Sequence, residues 1–586
     1  MLFFRILVFV SFLFTINIQA KETNSSISIS SPKEIKIEAV GLKKLKQGPL
    51  LEALGASKSG FWIFSKEYKI ASNLVDSIGS NLREYLNSKG FYDAKFDIQR
   101  VEDKVVIKID ENTPVKVEKI TIDSNYPIKK IVTFKKGDIF DAQKFTEIKK
   151  AIKRALLRDG YCSYDLSTKA FVDLDKKVAT LNYHLDKGKH CVFGETKIAE
   201  IPTNISPDVI YSRLRYKKGE IFTQEKINET YAALNELGCF SSIVIDTNKK
   251  IFNEVMPEVS ASLNPKLNRT TLSLGYDTEV GWRVKGEYNR FNFLGNARKL
   301  GVSAEYSSSL KRVQATFLNP AIFNLNGWYF DFRAKGGFKE EEFNSYSENK
   351  SYFDMRLNHI SDNFSLDLGL GFENIDIKLE GDEPGIIPGN FVLTYPYINM
   401  VYDGRDSKLD PKNGLYFASY LEYGLPIDKD SANYYKFLSE ARVIKTIDEI
   451  TFAAVGKAGV IDELGGGNLP ASKLFYAGGS YSNRAYGNND IGVTTSKTDS
   501  KDLGGKTWLN FSLEMDFPLY NNINGAIFYD STMISSGSYD FTGEYINSTG
   551  VGIRYATPMG PLKVDFGVNV KDPSINRVAV QIGQSF

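Results

Sequence analysis

Three segments in the first half of the chain carry apolar residues at helical spacing. Residues that recur every three or four positions in this way predict amphipathic helices. A glycine and an aromatic residue or cysteine follow each stripe, and Gly90, Gly160 and Gly238 suit the positive φ of a helix C-cap. The three predicted stripes are Leu74, Ile78 and Leu82; Phe145, Ile148, Ile152 and Leu156; and Ile227, Tyr231 and Leu234.

Nearly the same sequence segment leads into two of these helices. It reads "KKGDIFDAQKF" at 135–145 and "KKGEIFTQEKI" at 217–227. A fainter copy, "GFWIFSKEYKI", occupies 60–70. Ser65, Asp141 and Thr223 align in the three copies, and these residue types cap helix N-termini. A period of roughly 80 residues indicates a repeated small domain rather than a turn of a solenoid.

Strand-like runs flank each predicted helix. Two alternating runs follow it, such as "AKFDIQRV" and "KVVIKID", and these predict a hairpin. Another run precedes it, and a short helix such as "PDVIYSRLRY" fits between the two. The predicted module is therefore strand, helix, helix, strand, strand, repeated three times. The alternative is a chance match between polar helix starts.

From about Thr270 onward the apolar period changes from helical to two. At 507–517, Leu509, Phe511 and Leu513 fall on one face, while Asn510 and Glu514 fall on the other. Long strands with an apolar face and a charged face favour a transmembrane antiparallel β-barrel, for which we count about 16 strands of the needed length. A soluble sandwich, which alternates in the same way, is the alternative.

Composition narrows the function classes. A net charge of +2 gives no electrostatic argument for nucleic-acid binding. Three histidines and three cysteines show no metal-ligand spacing, and no catalytic constellation is present, so we expect no enzyme, metal or cofactor. An odd cysteine count gives no basis for assigning a disulfide. Residues 1–20 have one arginine, an apolar run and a terminal Gln-Ala, which predicts a secretory signal peptide, with a membrane anchor as the alternative.

Taken together, these features resemble the BamA/TamA superfamily of outer-membrane assembly proteins. The modules resemble polypeptide-transport-associated (POTRA) domains. The stretch "YDGRDSKLDPKNG" resembles the D-x-R-D…P-x-x-G turn of the family. The matching residues are Asp403, Arg405, Asp406, Pro411 and Gly414.

The stretch "FYAGGSYSNRAYGNNDIG" at 475–492 resembles the inward-folded extracellular loop of that family, whose tip reads V/I-R-G-F/Y. Arg484 and Tyr486 match the tip, whereas Asn483 and Ala485 depart from it. The resemblance implies that Arg484 locks the loop onto carboxylates of the inner wall. Alternation places Glu514 and Asp530 on that wall, and a guanidinium can fork onto such carboxylates. The alternative is that all three are ordinary charges facing water.

Three modules are typical of TamA rather than BamA. The resemblance implies an outer-membrane protein with periplasmic POTRA domains, which translocates or inserts other outer-membrane proteins through a seam between its first and last strands. Gly583 and Phe586 mark that seam. The implied partners are the lipid bilayer, unfolded outer-membrane clients and a long, inner-membrane-anchored TamB-like protein.

A BamA-like general factor, a two-partner-secretion transporter and a passive porin or receptor are the alternatives. The predicted boundaries are 1–20 for the signal peptide, 33–112, 113–186 and 187–263 for the three POTRA domains, and 266–586 for the barrel.

Overall fold

The computed structural model describes residues 34–586 except 60–66, 102, 278–280, 344–345, 380–384, 494–502, 521, 558–559 and 583–586. The predicted signal peptide, the cap at Ser65 and the seam residues Gly583 and Phe586 lie outside the described residues.

The first module is a five-stranded sheet in the order β2-β3-β1-β5-β4. One apolar cluster, which includes Leu50, Leu82 and Ile107, is buried between the sheet and two helices. The elements are β1 (Glu34–Val40), α1 (Gln47–Ala53), β2 (Ser57–Ser59), β3 (Glu67–Ala71), a 3-10 turn (Ser72–Ser77), α2 (Ile78–Ser88), β4 (Lys95–Val101) and β5 (Lys104–Asp110).

The helix predicted to start at Ser65 is wrong, because Glu67–Ala71 forms strand β3. This strand pairs with both β1 and β2, which adds a hairpin that the predicted module lacks. Ile70 is buried within it. The helix itself exists, but it begins only at Ile78 and carries Ile78, Leu82 and Leu86 as its buried stripe.

The second module follows the predicted pattern around its long helix. Asp141 caps that helix by accepting from Lys144 N at 3.0 Å, and Gly160 ends it with a φ of 85°. A 3-10 turn replaces the predicted second helix. The sheet order is β6-β8-β7, with elements β6 (Lys116–Ser124), a 3-10 turn (Ile128–Lys130), α3 (Ala142–Arg158), β7 (Asp165–Asp173) and β8 (Val178–Asp186).

The third module also has the predicted cap, since Thr223 Oγ1 accepts from Lys226 N at 3.3 Å. The predicted short helix is present as α4. Its sheets have the orders β10-β14-β11 and β12-β13-β9. The elements are β9 (Val192–Phe193), β10 (Lys197–Glu200), α4 (Pro207–Tyr211), α5 (Gln224–Asn235), β11 (Phe240–Asp246), β12 (Lys250–Ile251), β13 (Glu254–Val255) and β14 (Glu258–Leu263).

A disulfide joins Cys162, which lies between α3 and β7 of the second module, to Cys191 at the start of the third. Cys239 is a free, buried thiol in the third module. The sequence left this pairing open. Burial raises the pKa of the Cys239 thiol to about 12, so the thiol is protonated at neutral pH.

The remainder of the chain forms one 16-stranded antiparallel sheet in sequence order, which confirms the predicted strand number. Its strands are β15 (Asn268–Asp277), β16 (Gly281–Phe291), β17 (Lys299–Ser307), β18 (Leu310–Leu325), β19 (Trp328–Glu342), β20 (Tyr346–Ile360), β21 (Phe364–Leu379), β22 (Gly389–Asp403), β23 (Asn413–Pro426), β24 (Asn433–Ile447), β25 (Ile450–Gly465), β26 (Thr507–Tyr520), β27 (Ile523–Ser535), β28 (Tyr545–Tyr555), β29 (Leu562–Asn569) and β30 (Asn576–Ile582).

The two faces of this sheet differ as the alternation predicts. Phe511 and Leu513 of β26 are exposed on the outer face, whereas Asn510 and Glu514 are buried on the other. We call the face that carries Asn510 and Glu514 the inner face. Among the described residues, no helix is both long and apolar enough to cross a membrane.

The third module packs against one end of the sheet. Phe291 and Ala297, at the turn between β16 and β17, belong to the buried apolar cluster of that module. Arg213 Nη2 donates to Asp331 Oδ2 of β19 at 2.7 Å. Alternate turns of an antiparallel meander share one end, so the β22–β23 turn lies at this module end and the β25–β26 segment at the opposite end.

Candidate functional site

The segment between β25 and β26 folds against the inner face of the sheet. Gly478 and Gly479 adopt positive φ of 103° and 82° and start a tight turn, which closes with a bridge between Gly479 and Asn483. Asn483, Arg484 and Ala485 are all buried. The tip of this inward loop is therefore packed inside the molecule.

Arg484 lies between the two carboxylates that the sequence placed on the inner wall. Its Nε and Nη2 donate to Asp530 Oδ2 and Oδ1 at 2.9 and 2.8 Å, and its Nη1 donates to Glu514. The three residues are 6%, 1% and 4% exposed, respectively. The guanidinium carbon also lies 3.5 Å from the centroid of the Phe528 ring. Fork-like pairing and ring stacking together fix the plane of the guanidinium.

A second arginine extends this pair into a network. Arg554 of β28 donates to Glu514 Oε1 at 2.8 Å and to Asp565 Oδ1 of β29 at 2.5 Å. Asp565 lies 4.0 Å from Arg484. Glu514 thus binds one cation from the loop and one from the wall, and the network pairs the buried charges of the loop and of four strands.

The structure explains the two residues of the loop tip that differ from the V/I-R-G-F/Y pattern, Asn483 and Ala485. Ala485 does not adopt a positive φ, so the position does not require glycine. Asn483 donates to Ile546 O at 3.1 Å and accepts from Ser548 Oγ, which attaches the tip to β28. The loop backbone approaches β29 at Gly567, where an added Cβ would lie 2.7 Å from Arg484 O.

Tyr486 connects the tip to the last two strands. Its hydroxyl accepts from Asn569 Nδ2 of β29 at 2.5 Å, and its carbonyl accepts from Arg577 Nη1 of β30 at 2.8 Å. The loop therefore contacts the last five strands of the sheet, β26, β27, β28, β29 and β30.

Lys473, near the start of the same segment, forms ion pairs with the inner face of a different group of strands. Its Nζ lies 3.1 Å from Glu373 of β21 and 3.2 Å from Glu422 of β23. It also lies 4.0 Å from the centroid of the Tyr395 ring. The segment thus has two anchors, Lys473 and Arg484, on different groups of strands.

The turn motif lies at the module end of the sheet. Arg405 Nε and Nη2 donate to Asp403 Oδ1 and Oδ2 at 2.8 and 2.9 Å. Its side chain is buried, and it lies over the Tyr416 ring at 4.9 Å. These contacts are internal to the turn and its flanking strands.

Asp406 closes the same turn by accepting from two backbone N–H groups of 412–413 at 2.9 and 3.1 Å. Pro411 is buried next to them. Gly414 has a φ of 138°, and an added Cβ would lie 2.5 Å from Arg405 Cα. A structural function of the motif is sufficient to explain these contacts.

The seam itself is only partly described. In the part of the chain that the structure describes, β15 pairs with β16 and β30 pairs with β29. Ala579 of β30 is buried on the inner face, whereas Val578 and Val580 are exposed. The described residues contain no group of three or more His, Cys, Asp or Glu side chains that could hold a metal ion.

Several members of the site were not predicted from the sequence. Asp565 and Arg554 could have been found from the alternation of their strands, which places them on the inner face with Glu514. Alternation also places Gly567 on the inner face, but its contact with the loop tip joins segments far apart in the chain, and Lys473 carried no signal of its own.

Comparisons with known proteins agree with this architecture. Residues 292–586 match the model of the Omp85 superfamily domain, and residues 115–188 match the POTRA model, described as a surface antigen variable number repeat. The outer membrane protein assembly factor BamA of Nitratidesulfovibrio vulgaris is 23% identical over 567 residues, covering 91% of this chain and 70% of its own length. For BamA of Neisseria meningitidis the identity is 20%, covering 95% and 78%.

The fold resembles the crystal structure of BamA from Haemophilus ducreyi lacking POTRA domains 1-3, with a TM-score of 0.50. The match covers 80% of this chain and 98% of that one at 15% identity, a level at which the likeness concerns the fold alone.

Proposed function

The chain belongs to the Omp85 superfamily, whose model covers half of it, and on this premise we propose that it inserts or translocates other outer-membrane proteins. The observation that supports this most directly is the inward loop, which Arg484 attaches to Glu514 and Asp530. A passive pore has no need of such an attachment or of three modules at one end of the sheet. The function requires no cofactor and no catalytic residue.

The protein is located in the outer membrane, with its POTRA modules in the periplasm. The exposed apolar side chains of the outer face, such as Phe511 and Leu513, suit contact with lipid. The module boundaries predicted from the sequence belong to this proposal.

Client strands enter, in this proposal, at a seam between β15 and β30. The strands near the seam are short, with 10 residues in β15 and 8 in β29, whereas those from β18 to β25 have 14 to 16. Short strands form fewer backbone hydrogen bonds, so pairing across this region is easier to open. The free edges of the POTRA sheets can bind extended client segments by strand addition.

Three modules support a TamA-like arrangement, in which a long, inner-membrane-anchored TamB-like protein is the partner. Co-purification of the full chain followed by mass spectrometry tests this finer proposal. Recovery of the general assembly machinery instead would favour a BamA-like function, and recovery of a filamentous exoprotein would favour two-partner secretion.

The central experiment uses the purified chain in liposomes with a urea-denatured outer-membrane protein as client. We expect the folded fraction of client, measured by its heat-modifiable gel shift, to rise faster than in liposomes that contain an ordinary porin. Equal rates in the two preparations would overturn the proposal. Separately, the chain should fractionate with the outer membrane, and recovery in the soluble periplasm would contradict the barrel.

A further inference from the structure

A polar cavity of about 460 Å³ lies where the third module meets the inner face of β16 to β20. Strand residues that include Lys299, Arg333 and Lys335 form its wall, and Arg213 and Arg215 of the module form its other side. The volume falls within the range of about 300–1,000 Å³ that is typical of ligand sites. None of the residues that hold Arg484 lines this cavity.

The described lining has an excess of positive charge, with seven Arg and Lys residues against three Asp and Glu. Lys335 makes no hydrogen bond or ion pair with any described residue. The Arg215 side chain makes one hydrogen bond to a described residue, donating to Ile360 O at 3.3 Å. The nearest carboxylate to Arg333, that of Asp331, is 3.6 Å away and is already bound by Arg213 at 2.7 Å.

Two arginines of the wall face each other at close range. Arg333 and Arg356 are directly opposite in the register of β19 and β20. Like charges in this arrangement repel each other. Arg356 is compensated by Asp354 at 3.2 Å and Asp367 at 3.6 Å, so Arg333 is the less compensated member of the pair. Arg333 Nε is also buried without a hydrogen-bond partner among the described residues. A buried guanidinium N–H that lacks a partner is a donor available to a ligand oxygen.

We propose that this cavity binds the carboxylates of an acidic polypeptide segment as it passes from the third module into the interior of the barrel. The cavity lies on the inner face, among polar side chains such as Asn289 and Thr316. The apolar surface that suits lipid is on the other face of the sheet, so a lipid is not the expected ligand. Because the third module is periplasmic and its arginines form one side of the cavity, a polypeptide in the periplasm is the natural source of the carboxylates. The identification of that polypeptide as a client rests on the proposed function.

The test measures binding to the purified full chain in detergent micelles. The probe is a fluorescent ten-residue peptide of alternating Glu and Thr, and its matched control has Gln in place of every Glu. We expect the Glu peptide to bind at least about tenfold more tightly, because charge-assisted hydrogen bonds are stronger than neutral ones. Rising ionic strength should weaken it.

Two variants locate the site. Lys335→Gln removes a charge that has no partner among the described residues, so it should fold normally and still weaken binding of the Glu peptide by about tenfold. Arg333→Gln should have a similar or larger effect. The matched control is Lys311→Gln on the same strand pair, since Lys311 is exposed and pairs with Glu340 away from the cavity. It should bind the peptide like the unmodified chain.

Three outcomes would overturn the proposal: equal binding of the Glu and Gln peptides, full binding by Lys335→Gln, or binding of inorganic phosphate alone, which would indicate a site for small anions. Because the measurement needs no client assembly, its failure is distinct from that of the proposed function. A chain that assembles clients but does not bind the peptide would leave the proposed function standing without this site.

Discussion

At the scale of single residues, Arg484 is the residue through which the tip of the inward loop forms buried ion pairs with the sheet. Its guanidinium binds Glu514 and Asp530, and both carboxylates are almost fully buried. Arg484→Ala would leave Asp530 without its bidentate partner. Removal of one partner of a buried ion pair costs about 3–5 kcal/mol, and a water-filled interior reduces this cost.

We therefore expect Arg484→Ala to expose the loop to protease and to slow client assembly, as measured by limited proteolysis and by the liposome assay. Arg484→Lys serves as the comparison, since it keeps the charge but cannot fork onto Asp530. It should give an intermediate result. An alanine variant with unchanged cleavage of the loop and full activity would contradict the lock.

Gly567 tests the same loop without any change of charge. A Cβ at this position would lie 2.7 Å from Arg484 C and O, so Gly567→Ala should push the tip away from β29. We expect increased protease cleavage in the loop, with the heat-modifiable barrel retained. The matched control is Gly456→Ala in β25, where an added Cβ meets no atom within 4 Å. Equal cleavage of the two variants would contradict a close fit of the loop against β29.

At the scale of secondary-structure elements, the local sequence predicts a helix correctly where a capping residue and an apolar stripe occur together. Asp141 and Thr223 cap α3 and α5 as expected, because caps and apolar stripes act over a few residues. The segment around Tyr68 and Ile70 belongs to the fainter copy of the repeated sequence segment, but it forms strand β3 and pairs with β1. A short run of mixed residues suits a strand or a helix, and pairing with β1 decides between them. The contact of Gly567 with the loop was not predictable, since it depends on how the loop, about 80 residues earlier in the chain, folds against β29.

The disulfide between Cys162 and Cys191 gives an element-scale prediction. It closes a loop with a sequence separation of 29 residues. A cross-link of this span stabilises the folded state by about 3–4 kcal/mol in the chain-entropy description. The double variant Cys162→Ser with Cys191→Ser should therefore lose protease resistance of the second and third modules at lower urea concentration than the unmodified chain.

Cys239→Ala is the control for that measurement, because it removes a buried thiol and leaves the link between the modules intact. We expect a smaller shift of the urea midpoint for this variant. Midpoints that do not differ between the double variant and the unmodified chain would show that the disulfide is absent or contributes nothing in the purified protein.

At the scale of the whole molecule, the inward loop contacts the last strands of the sheet and the third module contacts its early strands. The loop tip contacts β29 and β30 through Tyr486, and the third module contacts β19 through Arg213. The cations of the module-side cavity lie on β16 to β20 and on the third module. In the proposed function, client binding at β16 to β20 and loop attachment at β29 and β30 would therefore involve the first and the last strands of the sheet, respectively.

Cross-linking β15 to β30 tests whether the proposed seam between these strands must open. Cysteines at Thr271 or Ser273 of β15 are combined with one at Ala579 of β30 in a Cys162→Ser, Cys191→Ser, Cys239→Ala background. The chain is treated with a short bismaleimide, and the linked fraction is purified. We expect the linked chain to keep its heat-modifiable barrel and to lose client assembly in liposomes, because strands joined across the seam cannot separate to pair with a client strand. Each single-cysteine chain, treated with the same reagent, should remain active. If the linked chain assembles clients at the rate of these controls, clients do not enter between β15 and β30, and the activity must depend on the POTRA edges or the barrel interior.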